Sequence, residues 1–192
     1  NVNFNLFGCN AYGSKDNGFY FVDSFGTAKG CSGSYNDGDG FNVHSFDNQK
    51  GCYIDLIDCV GDDNYGIGQG NDGVSYHEKS RGRIIGGEYL RNTKYDIVHI
   101  QTAEVQHYNV KCGTMQLQLS GASSDLINTQ IINVVADSIN VEPTLSRVNI
   151  TLSNCLADSI SLKGSGEING VISDNTTNSI YSKASGTRNF IG

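Results

Sequence analysis

The chain has 192 residues and a formal net charge of −7, which is the length of one domain with a sizeable core. The acidic balance argues against a nucleic-acid partner, which needs a basic face, and no apolar run approaches the ~20 residues of a membrane span. Twenty-four glycines, one proline and no tryptophan accompany many Asn, Ser and Asp residues. This composition is typical of short strands joined by turns.

Short apolar–polar–apolar alternations, each predicting a strand with one buried face, begin with residues 19–21. They recur as GDGFNVH at 38–44 and as NDGVSYH at 71–77. Asx side chains bond nearby backbone in turns, and glycine supplies a positive φ. We therefore predict that Asp39 and Asp72 are turn residues first, and that any role in catalysis or calcium binding is additional.

The alternation continues to the end of the chain at intervals of about 20 residues. The first apolar residue of each strand gives one column that is predicted to point inward: Phe19, Phe41, Val74, Val98, Leu117, Ile139, Ile160 and Ile180. Because no single coil can bury its inner face, such coils must stack on a shared core. The sequence therefore predicts an all-β fold, a right-handed parallel β-helix (solenoid) of about eight coils formed by one chain.

Residues 1–192 are predicted to form one β-helix domain. The chain begins at Asn1 and not at methionine, so we expect it to be a fragment of a longer protein.

The six cysteines are predicted to be mainly free thiols. Cys112 and Cys155 share a column but lie two coils apart, about 9.6 Å, whereas the Cα atoms of a disulfide lie within about 7 Å. Cys9 and Cys31 could be neighbours in one column, so a disulfide stays open for that pair. No short Cys-x-x-Cys spacing predicts a zinc site, and no metal ligands are assigned.

Three of the four histidines are predicted to gather on one outward face. His44 and His77 occupy equivalent positions after their strands, so they should stack one coil apart, near ~4.8 Å. His99 is expected to point outward on the same face, about 8 Å from His77. Three further residues are predicted to bind ligand there: Tyr20, Asn42 and Ser75. A chance column of polar residues on an exposed face remains the alternative.

The 33-residue interval between Phe41 and Val74 holds the longest insertion, VGDDNYGIGQGN at 60–71. Loops that project over a rigid scaffold commonly carry binding residues. We expect this insertion to leave the body just before the strand that leads to His77. Its side chains predicted to cover the histidines are Asp62, Asp63 and Tyr65.

The stretches NDGDGFNVH and NDGVSYHEKSRGRIIGG resemble coils of the pectate-lyase-like, right-handed parallel β-helix superfamily. They look most like coils of phage tail-spike polysaccharide depolymerases and mannuronan C5-epimerases. The epimerases cluster a tyrosine, an aspartate, a histidine and a lysine in one short motif. Here Asp72, Tyr76, His77 and Glu78 echo that motif without its Asp-Pro-His-Glu core. The resemblance implies an extracellular or virion protein that binds a polysaccharide, and it leaves open whether the protein also cleaves it.

Lyase or C5-epimerase chemistry on a polyuronate would use His77 or Tyr76 as the base. His44 beside it would keep one ring neutral, because two adjacent imidazolium ions repel. Arg81 or Lys79 would neutralise the uronate carboxylate.

Hydrolysis would instead need two carboxylates about 5–9.5 Å apart. Glu78 with Asp62 or Asp63 is the pairing that the sequence offers. Glu78 points inward if its strand continues, so it can serve only if the strand ends at His77.

A non-catalytic structural spike or adhesin module, assembled as a homotrimer, is the alternative from another class. From Leu117 onward the repeat is regular and carries no chemical cluster. The acidic charge mildly favours a neutral sugar over a uronate unless calcium bridges the two, and no other cofactor is predicted.

Overall fold

The computed structural model describes residues 2–46, 51–66, 70–122, 124–184 and 188–191, and these residues contain β-strands but no helix. The strands in chain order are β1 Asn3–Phe7, β2 Asn10–Tyr12, β3 Phe19–Val22, β4 Phe25–Lys29, β5 Ser32–Ser34, β6 Phe41–His44, β7 Cys52–Ile57, β8 Val74–Tyr76, β9 Ser80–Ile85, β10 Glu88–Tyr89, β11 Ile97–Ile100, β12 Glu104–Tyr108, β13 Lys111–Cys112, β14 Thr114–Gln118, β15 Leu126–Ile132, β16 Val135–Val141, β17 Arg147–Ser153, β18 Leu156–Gly164, β19 Glu167–Ser173, β20 Thr176–Ala184 and β21 Arg188–Ile191. In this part of the chain no helix has the length and apolar character needed to cross a membrane.

The strands stack in parallel, and each coil adds one strand to each of two long sheets. One sheet has the order β1-β4-β7-β9-β12-β15-β17-β19-β21. The other runs β3-β6-β8-β11-β14-β16-β18-β20, with β13 and β10 attached through β16, and β2 pairs separately with β5. The fold is thus a parallel β-solenoid of about eight turns, consistent with the predicted right-handed β-helix.

The inward column of the second sheet differs from the predicted one at two positions. Val74 pairs with Ile97 and not with Val98, whereas Leu117 pairs with His99. The observed column of fully buried residues is Phe41, Val74, Ile97, Met115, Ile139 and Ile160. Ile97 and Val98 are both apolar and both buried, so the apolar–polar alternation alone could not decide which of them belongs to the inward column.

The last residue predicted for that column, Ile180, pairs in register with Ile160 but is 55% exposed. Within the described residues no further strand of the second sheet stacks on β20. Burial of a solenoid residue requires a coil on each side, and Ile180 has one.

The acidic residues Asp39 and Asp72 lie in the connections that precede the strands, but their side chains bond backbone of the next coil and not that of their own turn. The Asp72 N–H donates to Asp39 Oδ1 at 3.0 Å, and the Tyr95 N–H donates to Asp72 Oδ1 at 2.9 Å. Asn17 Oδ1 accepts from the Asp39 N–H at 2.9 Å in the same way. Each side chain therefore satisfies a backbone donor of the next coil.

The predicted projection of the 60–71 insertion is wrong for residues 60–66. Val60 forms parallel bridges to Ser32 and Glu88, so this segment is a rung of the stack. The buried Asn64 side chain donates to Asn92 Oδ1 at 2.9 Å and accepts from Asn36 Nδ2 at 3.1 Å. This asparagine ladder holds the segment against both neighbouring coils. Residues 67–69 of the insertion lie outside the described residues.

All six cysteines are free thiols, as predicted for most of them. The disulfide left open between Cys9 and Cys31 is not formed. Cys9 is half-buried and the other five are buried, so they act as small apolar side chains in the core.

Candidate functional site

The predicted stack of His44 and His77 is confirmed. His44 ends β6, and His77 follows β8 one coil later, where its N–H donates to the Val43 carbonyl at 2.9 Å. The two ring centroids lie 4.2 Å apart with an interplanar angle of 15°. The parallel backbone pairing of adjacent coils thus brings two imidazoles together.

Glu78 joins this pair because β8 ends at Tyr76. The backbone of Glu78 adopts a φ of +54°, in the left-handed region, and so leaves the strand path that would point the side chain inward. Its Oε2 lies 2.8 Å from His44 Nδ1. The condition that the sequence placed on Glu78, a strand that does not continue, is met.

The environment of His77 makes it a neutral and weak base. Burial, followed by the charges of His44 and Lys94, lowers the pKa of His77 to about 4. At neutral pH its ring carries no charge, and proton abstraction is most efficient when the pKa of the base lies near the working pH. The arrangement suits a ligand-binding imidazole better than a general base.

Two exposed aromatic rings contact His44. Tyr20 is 52% exposed and meets His44 edge-on, with centroids 5.9 Å apart. Phe46 is 62% exposed and stacks on His44 at 4.7 Å. We call these residues the histidine face: Tyr20, His44, Phe46, His77 and Glu78. Phe46 was not predicted, although it lies two residues after His44, on the same side of an extended chain.

His99 does not belong to this face, and its predicted outward position is wrong. It pairs with Tyr76 and Leu117 in an inward column, is fully buried, and contacts His107 with 2.9 Å between the two Nε2 atoms. Burial, and then the charge of His107, lowers the pKa of His99 well below its ordinary value. The one-residue register shift at Ile97 is the cause, since it exchanges the two faces of the strand.

Tyr76, a predicted base, is also inside the core. Its hydroxyl donates to the Ile54 carbonyl at 2.7 Å, and burial raises its pKa well above the ordinary value. A buried, hydrogen-bonded phenol has no access to a substrate.

The side chains of Asn42 and Ser75 both hydrogen-bond to Asp39. The Asn42 amide donates to Asp39 Oδ2 at 2.7 Å, and the Ser75 hydroxyl donates to the same oxygen. Ser75 is fully buried, so its predicted contact with a ligand is wrong. Burial raises the pKa of Asp39, and burial with the neighbouring charge of Asp39 raises that of Asp72 to about 7.

The predicted cover over the histidines is not formed by Asp62 and Asp63. Arg91 Nη2 lies 3.2 Å from Asp62 Oδ2 and 2.8 Å from Asp63 Oδ2. Asp62 also accepts the Leu90 N–H at 2.7 Å. These carboxylates tie adjacent rungs together, while the Tyr65 side chain is 55% exposed.

Lys79 and Arg81 line a groove of about 190 Å³. Arg81 Nε pairs with Glu104 Oε2 at 3.0 Å. The other lining residues are Thr102, Asp125, Leu126 and Ile127. Thr102 donates its hydroxyl to the Glu78 carbonyl at 3.1 Å, which connects this groove to the histidine face.

The fold is a parallel β-solenoid, and the histidine face is a polar and aromatic patch on its surface. Comparison with models of protein families, with curated proteins and with solved structures finds no match for this chain. The solenoid therefore rests on the chain's own repeat and structure, and membership of the pectate-lyase-like superfamily is an inference from the repeat pattern.

Proposed function

We propose that this protein binds a polysaccharide on the histidine face, on an extracellular or virion surface. The observation that carries the proposal is the pair of exposed rings, Tyr20 and Phe46, that both contact His44. The apolar C–H faces of a sugar ring pack against such rings, while neighbouring imidazole and carboxylate groups hydrogen-bond its hydroxyls. Exposed aromatic side chains beside polar groups are typical of recognition surfaces.

The adjoining groove supports a chain-like ligand. Its lining mixes cationic, anionic and hydroxyl groups, represented by Arg81, Glu104 and Thr102. Through the hydrogen bond from Thr102 to the Glu78 carbonyl, the groove and the histidine face form neighbouring parts of one surface. Several sugar units of a polymer would reach both.

The geometry favours binding over cleavage. Hydrolysis needs a second carboxylate about 5–9.5 Å from the first, and the candidates Asp62 and Asp63 are held by Arg91. Lyase or C5-epimerase chemistry needs an accessible base, whereas Tyr76 is buried and His77 has a pKa of about 4. We accordingly propose binding without cleavage, and a rise in absorbance at 235 nm with a polyuronate would show instead that the protein is a lyase.

Binding is tested on an array of bacterial surface polysaccharides, followed by titration of the best glycan. Tyr20→Ala and Phe46→Ala should each weaken binding at least about tenfold, since aromatic anchors dominate binding energy. Tyr12→Ala is the matched control, because Tyr12 is 75% exposed on the short β2–β5 pair. Unchanged affinity in the first two variants would contradict the proposal.

A structural spike or adhesin module is the second candidate, supported by an apolar strip on the later coils. Val135 and Leu156 pair in register and are 46% and 52% exposed. Contiguous exposed apolar side chains are suited to a protein–protein contact, such as that of a homotrimer. Light scattering should then give three times the chain mass, reduced to one chain in Val135→Lys/Leu156→Lys; a monomeric parent protein would refute this assembly.

A further inference from the structure

Three metal-ligating side chains of the histidine face meet at one point. One ligand atom from each of His44, His77 and Glu78 lies within 4.8 Å of those of the other two. They come from two adjacent coils, whose spacing is fixed by the backbone pairing of β6 with β8. Among the described residues this is the one cluster of three such groups at this separation.

The nitrogen and oxygen atoms that meet there lack hydrogen bonds with the described residues. His44 Nδ1, His77 Nε2 and Glu78 Oε2 are each buried from solvent, and none of them makes a hydrogen bond with the described residues. His44 Nδ1 and Glu78 Oε2 lie 2.8 Å apart, at ion-pair distance but without a hydrogen bond, whereas His77 Nε2 has no hydrogen-bond partner among the described residues. Buried polar atoms without partners are costly, and a shared cation would satisfy all three together.

We propose that His44, His77 and Glu78 bind a divalent first-row transition metal ion such as Zn²⁺, independently of any glycan. Two imidazole nitrogens and one carboxylate oxygen are the donor types that these ions prefer. Calcium, which takes six to eight oxygen ligands, does not match this set. Three protein ligands leave a coordination position for water or for an oxygen of a bound molecule.

Binding requires a small rearrangement of the rings. Zinc lies about 2.0–2.2 Å from nitrogen and oxygen ligands, in the plane of each imidazole. The rings of His44 and His77 are nearly parallel in the structure, at 15°, so they must rotate about their side-chain bonds to direct both lone pairs at one ion. Tyr20 and Phe46, which contact His44, are both more than half exposed, so rotation of His44 requires these surface rings to move and not the core.

The test is calorimetric titration of ZnCl₂ into EDTA-treated, dialysed protein. Cys9→Ser is the parent protein, because Cys9 is the one cysteine that is not buried and thiolates also bind zinc. We expect one ion per chain. Glu78→Gln and His77→Gln should each weaken binding at least about tenfold, because even loss of a residue that only supports a ligand costs 10–100-fold. Glu104→Gln, which removes a carboxylate from the neighbouring groove, should bind like the parent.

Cobalt gives a second measurement that does not depend on the variants. Co²⁺ bound by two imidazoles and a carboxylate at low coordination number should show intense visible absorption, and Zn²⁺ should abolish it by displacement. The proposal is overturned if the parent protein binds no Zn²⁺ at 100 µM, if Glu78→Gln and His77→Gln bind it as tightly as the parent, or if Co²⁺ keeps the weak spectrum of the hydrated ion.

Discussion

The buried pair of His99 and His107 should make the solenoid sensitive to acid. Both rings are fully buried, and one Nε2–H donates to the other Nε2 across 2.9 Å, which requires the accepting ring to be neutral, while burial disfavours charge on either ring. Burial lowers the pKa of His107 to about 3, and burial with the charge of His107 lowers that of His99. In the unfolded chain both rings titrate near ~6.5.

The direction of the pH dependence follows from the number of protons bound by the folded and the unfolded chain. Below pH ~6.5 the unfolded chain binds protons that the folded pair excludes, so the free energy of unfolding falls as the pH falls. Each histidine contributes at most about 1.4 kcal/mol per pH unit, and the unfolded ring is only half protonated at pH ~6.5, so the loss between pH 6.5 and 5 is about 1.6 kcal/mol per histidine and roughly 3 kcal/mol for the pair. That is a large part of the 5–15 kcal/mol that stabilises a typical domain.

The perturbation is the double variant His99→Phe/His107→Phe. The histidine rings lie 4.9 Å apart at 18°, similar to the stacked Phe19 and Phe41 at 5.0 Å and 5°; overpacking by the larger phenyl rings would lower stability at every pH alike and leave the pH dependence readable. Replacement of both partners leaves no unpaired ring nitrogen. Urea unfolding followed by circular dichroism at pH 7.5, 6.5, 5.5 and 5.0 gives the free energies.

The parent protein should lose roughly 3 kcal/mol more than the double variant between pH 6.5 and 5. Comparison with the variant removes contributions common to both proteins, such as that of His77. Equal losses in the two proteins would refute the reasoning, because the buried pair would then not be the source of the acid sensitivity.

Three further predictions concern stability and thiols. Since burial and the charge of Asp39 hold the pKa of Asp72 near 7, above its usual 3.8, stability due to Asp72 is lost as the pH rises towards 7. Asp72→Asn, which keeps the Oδ1 acceptor for the Tyr95 N–H, should be ~2 kcal/mol more stable than the parent at pH 8 in urea unfolding; equal stability would contradict the buried charge. Asn64→Ala should cost about 2–4 kcal/mol by breaking the buried ladder, whereas Asn149→Ala at an exposed amide contact should cost under about 0.5 kcal/mol; similar losses would show that the ladder carries no special stability. Thiol titration should find six thiols in denaturant and at most one, Cys9, in the folded protein, and fewer than six in denaturant would mean that a disulfide exists.

The fold was predictable because a solenoid repeats its information. Each coil contributes its own apolar residues and its own turn, so a wrong register prediction in one coil does not change the prediction for the others. The error at Val98 shows this limit. Ile97 and Val98 fit the alternation equally well, and the neighbouring strands, which pair Val74 with Ile97, decide the register. That choice placed His99 inside, a consequence that sequence alone did not give.

The burial of His107, the partner of His99, follows from the alternation of its strand. In β12 half-buried and buried residues alternate, and the apolar Val105 is one of the buried ones. His107 lies two residues later and must share its inward face. A histidine in an inward column predicts a polar partner in the core, because a buried imidazole needs one.

The apolar–polar alternation could not predict where the Glu78 side chain lies. Of the thirteen described non-glycine residues with positive φ, eight are Asn or Asp, which tolerate this conformation, and Glu is not among the residues that favour it. Had the chain continued as a strand through His77, the carboxylate would have pointed into the core. The break at Tyr76 instead turns it onto His44 and creates the cluster. From β15 to β19, where the strands run seven to nine residues in register, the described coils have no such cluster. In this solenoid the regular columns provide the stability, and the site arises where one coil departs from them.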